Sequence, residues 1–140
     1  MSGPLDHARE LLEKARHDLV AAGALVKVED EILDTACFHV QQAVEKSLKS
    51  LLALDDVVYP FTHDLESLLD LAESRWPVVG AFAQAVIPMT RYAVIGRYSD
   101  ILHPDREEVG AAIEVARQVY DLAREEIARR GLPRTGCDES

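Results

Sequence analysis

Apolar residues along this chain recur at spacings of three and four, the period of one helix face. Leu5, Ala8, Leu11, Leu12, Ala15, Leu19 and Ala22 predict a first helix over about 5–23, with Pro4 suited to its first turn. Gly23 weakens or ends it, unless Ala24–Val28 carry it on. Ala36, Val40, Ala43, Val44, Leu48 and Leu51 predict a second helix over about 31–53. Acidic residues at Glu29–Glu31 suit its start, Asp30 is a candidate N-cap, and Asp55-Asp56 close it. Thr62 is the next candidate cap. Leu65, Leu68, Leu69 and Ala72 give a third helix that ends near Arg75-Trp76, because Pro77 disfavours helix at the residue before it. Val78–Ile95 reads as a fourth helix, kinked or split by Pro88 and stopped by Gly96. Residues 97–104 are too mixed for a regular element. Asp105 with Glu108 resembles a capping box, and Val109 to Ile127 continue as a fifth helix ended by Arg129, Arg130 and Gly131. The pattern predicts an all-α fold, an antiparallel up-and-down bundle of four or five helices. Residues 1–131 form one domain and 132–140 a loose tail.

Composition narrows the function classes. Hydrophobic residues make up 48% of the 140, enough for a core and too many for a disordered chain. The net charge of −10 sets a general field against nucleic acid, so any RNA contact needs a local basic patch. Cys37 and Cys137 are too few for a disulfide framework and are expected as free thiols. No signal-like run or apolar stretch of about twenty residues occurs, so the expected location is the cytoplasm, with no membrane partner.

Candidate chemistry begins on the second helix. At 100° per residue, His39, Gln42, Glu45, Lys46 and Lys49 gather on the side away from the apolar face, and Gln41 falls at the border. Two lysines and an imidazole on adjacent turns make a modest anion site, so His39, Gln42, Lys46 and Lys49 are candidate ligand-binding residues. The competing structural reading pairs Glu45 with Lys49 at i,i+4 and hydrogen-bonds Gln41 at the core edge. His63 and Asp64 open the third helix. Asp64 complements the helix dipole there, and His63 can bond back to the second helix. Five scattered histidines without a His-Glu-x-x-His spacing predict neither metal nor cofactor. Tyr92 is expected to pack, and Tyr98 is a candidate contact.

The segments Phe38-His39-x-Gln41-Gln42-Ala43-x-Glu45-Lys46-x-x-Lys49, His63-Asp64-Leu65-x-x-Leu68-Leu69 and Arg97-Tyr98-x-Asp100 follow one another before a last helix carrying Ala111–Tyr120. In this order the chain resembles the HEPN family of small helical-bundle proteins over about residues 5–130. The resemblance implies an all-α bundle that commonly forms homodimers. It further implies an association, in many members, with a minimal nucleotidyltransferase in arrangements like toxin–antitoxin pairs. Nucleotide or RNA binding would involve the second-helix residues with Tyr98 and Asp100.

Some members of that family are metal-independent ribonucleases that use an arginine and a histidine. Arg97 and His103 have a matching spacing here and are the candidate catalytic pair. The chemistry suits them: histidine titrates near neutral pH and arginine contacts phosphate bidentately. Tyr98 follows the arginine where active members carry a small polar residue, and Asp105 stands where some toxins have tyrosine. The leading reading is therefore a partnered module acting by protein–protein contact, with nucleotide or RNA binding. The alternative is an endoribonuclease toxin.

Overall fold

The computed structural model describes residues 3–28, 32–94 and 104–132. Among them are five α-helices, two 3-10 segments and no strand. The first helix, α1, spans Pro4–Leu25 and has proline in its first turn; α2 spans Leu33–Leu54. The short α3 covers Leu65–Glu73, and α5 covers Arg106–Arg130. Between them, 3-10 turns at Pro77–Phe82 and Ile87–Val94 flank a four-residue α4, Ala83–Val86.

The three long elements lie side by side. His7 near the start of α1 meets Tyr59 just beyond α2, whereas Asp18 reaches His39 and Lys46. The two helices therefore run antiparallel. Arg106 at the start of α5 donates to the carbonyls of Val26 and Val28, and Arg130 at its end pairs with Asp55. So α5 is antiparallel to α1 and parallel to α2. The return from the end of α2 is made by residues 55–64 without helix, which brings His63 back beside Glu45. From there α3 advances along α2 until Arg75 joins Asp55 at 3.2 Å.

The core is the set of periodic apolar positions that the sequence marks. Ala8, Leu12, Ala15, Leu19 and Ala22 of α1 are buried, as are Val40, Val44, Leu48 and Leu51 of α2. Val109, Ala116, Val119 and Ala123 close the core from α5, and Tyr92 packs into it. Burying a Leu or Val side chain contributes about 1.5–3 kcal/mol. Cys37 is also buried, with a free thiol. No helix among the described residues is long and apolar enough to cross a membrane.

Several local expectations change. The fourth helix is mostly 3-10. Pro77 begins the first such turn, and the α turn ends at Val86, two residues before Pro88. Proline cannot donate to the preceding turn and its ring crowds the carbonyl four residues back, so the tighter i→i+3 pattern takes over. The cap of α3 is Asp64, whose carboxylate accepts from the Glu66 amide at 3.2 Å, while Thr62 caps the Asp64 amide instead. The cap position of α2 is Ile32, without a side-chain bond; Asp30 lies outside the described residues. Asp105 does cap α5, accepting from the Glu108 amide at 2.7 Å. Gly131 ends α5 at φ −83°, so the stop there does not use the left-handed region. That conformation occurs at Asp56 after α2, at φ 55°.

Candidate functional site

The signature helix α2 is buried on more sides than its amphipathic pattern suggests. Gln41, Glu45, Ser47 and Ser50 are buried along with its apolar residues. Periodicity sorts residues by type, and it places His39, Glu45, Lys46 and Lys49 together as a solvent-facing stripe. In the fold, neighbouring segments cover that stripe and bring it partners.

Asp18 is the first of these partners. It occupies a core-facing position of α1, between Ala15 and Ala22, and is 7% exposed. Its Oδ2 accepts from Lys46 Nζ at 2.7 Å, and its Oδ1 lies 2.8 Å from His39 Nδ1. A carboxylate accepts, so the imidazole donates from Nδ1. The two α2 residues, seven apart, are two turns apart on one face, and one carboxylate spans both. A lone carboxylate at that depth would be costly; paired with a cation and a ring N–H, it is satisfied. Sequence reasoning overlooked Asp18. Its signal was an acidic residue in register with Ala8, Leu12, Ala15 and Ala22.

Glu45 is the second hub. Its Oε1 accepts from Gln41 Nε2 at 2.9 Å and from His63 Nδ1 at 2.7 Å, and its Oε2 accepts from Lys49 Nζ at 2.9 Å. Burial alone would push this carboxyl up. The hydrogen bonds from Gln41, His63 and Lys49, with the Lys49 charge, outweigh it and hold Glu45 below its ordinary value. Gln41 also donates to the His63 carbonyl at 3.3 Å, and Gln42 donates to Gln41 Oε1 at 2.7 Å. The expected Glu45–Lys49 pair and the His63 link to α2 therefore belong to one network that fastens the 55–64 segment to the helix.

That segment leaves aromatic and apolar side chains outside. Lys49 Nζ stands 5.5 Å from the Tyr59 ring centre and 6.0 Å from that of Phe61, within cation–π range. Phe61 and Val58 are fully exposed, an unusual state for two large apolar residues on one short connection. His7 closes the other side through Tyr59 Oη at 3.1 Å.

Of the candidate ligand residues, the fold brings His39 and Lys46 together on Asp18 and places Gln42 and Lys49 around the Glu45 network. Arg97, Tyr98, Asp100 and His103 lie outside the described residues, as does Cys137. No group of three or more His, Cys, Asp or Glu among the described residues is placed to hold a metal ion. Chemically, the stripe offers hydrogen-bond donors whose positive charge is already matched by carboxylates.

Comparison with protein-family models matches the HEPN domain over residues 8–127 of the 140. The matched span runs from the first turns of α1 to the last turn of α5 and takes in both carboxylate hubs. No curated protein matches the chain.

Proposed function

We propose that this chain, which belongs to the HEPN domain family, acts as a partnered helical module. It associates with a second copy and with a minimal nucleotidyltransferase in a toxin–antitoxin-type pair. The observation that carries this reading is the internal matching of the α2 stripe. His39 and Lys46 are held by Asp18, and Lys49 by Glu45. Charge spent inside the bundle is withdrawn from phosphate, because an anion must compete with a carboxylate already at hydrogen-bond distance. The stripe then serves to fix α1, α2 and the 55–64 segment in register. The exposed Phe61 is the kind of side chain that anchors protein contacts, and Val58 is exposed on the same segment. Nucleotide or RNA binding by His39, Gln42, Lys46 and Lys49, with Tyr98 and Asp100, is then secondary and depends on a partner that loosens the Asp18 and Glu45 pairs.

The alternative is metal-independent RNA cleavage by Arg97 and His103, and its support is their sequence spacing. Light scattering and co-expression test the leading reading. The purified chain should give a mass about twice its 15.5 kDa and should co-purify with the product of an adjacent nucleotidyltransferase gene. A monomer that passes such a product by without forming a complex would contradict it.

A further inference from the structure

One cleft departs from the acidic character of the whole molecule. It lies between α1 and α5, has a volume of about 690 Å³, and is lined by Arg16, Lys27, Arg117 and Arg124 with Asp121 as its one acidic residue. The chain as a whole carries 25 acidic against 15 basic residues, so this local balance is the reverse of the surface average. The floor is apolar: Leu19 is buried, Tyr120 is half-buried, and Val20 at the lip is 60% exposed. Gly23 opens the floor further, since a Cβ there would meet nothing within 4 Å.

The cations are available to an incoming group. Among the described residues, Arg117 pairs with Glu114 at 3.9 Å and Arg124 with Asp121 at 3.6 Å, both along the same exposed helix face. Arg16 pairs with Glu13 in the same manner. Exposed i,i+3 pairs of this type contribute little and exchange readily. Lys27 enters no ion pair among the described residues.

We infer that this cleft docks an acidic amphipathic helix of a partner protein. Its apolar stripe would lie on Val20 and Tyr120, and its carboxylates would meet Arg16, Lys27, Arg117 and Arg124. Charge complementarity selects that occupant over nucleic acid. A phosphate backbone carries charge continuously and would run from the cleft past Glu13 and Glu114 onto the acidic surface. A helix presents a few carboxylates on one side of an apolar stripe, which matches four cations around an apolar floor. The inference rests on the partnered-module reading and names one surface for it.

The test uses a fluorescent synthetic peptide with leucines at helical spacing flanked by glutamates, its lysine counterpart, and a short oligouridylate, each titrated against the full chain by anisotropy. The glutamate peptide should bind saturably and weaken with added salt. Arg117→Gln with Arg124→Gln should reduce its affinity roughly tenfold, and so should Val20→Glu, a change at an exposed position that leaves the core intact. The control Arg9→Gln with Lys14→Gln, outside the cleft, should bind as wild type does. Failure of the glutamate peptide to bind, equal binding of the lysine peptide, displacement by oligouridylate, or indifference to the cleft variants would each overturn the inference. Because no nucleotidyltransferase is present, these results read the cleft alone. A complex that still forms on co-expression after the peptide fails would sink the cleft and leave the module standing; the opposite pair of results would do the reverse.

Discussion

The Asp18 carboxylate on α1 accepts from the Lys46 ammonium on α2 at 2.7 Å, with both groups largely withdrawn from solvent. This contact ties α1 to α2 at a stripe whose residue types alone resemble a phosphate site. Its removal has two consequences. Asp18→Asn keeps the shape and loses the charge, and should destabilise the fold by about 2–4 kcal/mol, because it leaves a partly buried cation unmatched. It should also create salt-sensitive binding of ATP or oligoribonucleotides at the freed Lys46 and His39, beyond any shown by wild type. Chemical denaturation and isothermal titration calorimetry read the two effects.

Glu45 contributes to the response to acid. Its folded-state value is depressed, so the stability it contributes is present above the ordinary carboxylate range, about pH 4.3, and is lost as pH falls through the folded value. Wild-type stability should therefore drop as pH goes from about 5 downward. Glu45→Gln should be less stable than wild type at pH 7 by about 3 kcal/mol, since Lys49 loses its partner, and the gap should narrow in acid. Thermal unfolding followed by circular dichroism across pH 3–8 checks the sign (roughly that window brackets the carboxylate range). A gap that widens in acid would contradict this assignment.

Much of the fold was legible in the sequence, and the reason is physical. Leu12, Val40, Leu48, Val109 and Val119 repeat with helical period because one helix face must leave water, so apolar spacing reports burial directly. Asp105 and Pro88 act through neighbouring backbone and were equally readable. The α2 stripe was legible in part: the Glu45–Lys49 pair and a link from His63 to α2 were expected, whereas Asp18, 28 positions from Lys46, was not. Polar residues on one helix face look alike whether water or a buried carboxylate lies opposite. The cap of α3 shows the same limit on a smaller scale. Thr62 and Asp64 are both good caps by type, and the chain path decides between them.

Cys37 should be chemically silent. It is fully buried, and burial pushes its thiol up to about 11 despite a hydrogen bond from Tyr92. Thiolate is the reactive form, so the folded protein should hide it from thiol reagents at pH 8. In a Cys137→Ser variant, modification should proceed only at the rate of unfolding and should become immediate in denaturant. Rapid labelling under native conditions would place Cys37 in solvent.

Asp56 occupies the left-handed region at φ 55° directly after α2. The Val57 amide donates to the Leu52 carbonyl and the Asp56 amide to that of Ala53, both at 2.9 Å, which is the paired closure of a Schellman motif. Glycine is the usual residue at that position. Asp56→Gly should raise stability by about 0.5–1 kcal/mol, net of its greater freedom when unfolded. Loss of stability on that change would mean that the Asp56 side chain has a role beyond the turn.

RNA cleavage by the purified chain, without added metal and over a range of pH, tests the central claim most directly. A module that works through its partners leaves single-stranded RNA intact, and His103→Ala and Arg97→Ala behave as wild type does. Cleavage by the wild-type chain that disappears in His103→Ala would contradict the account and establish the ribonuclease in its place.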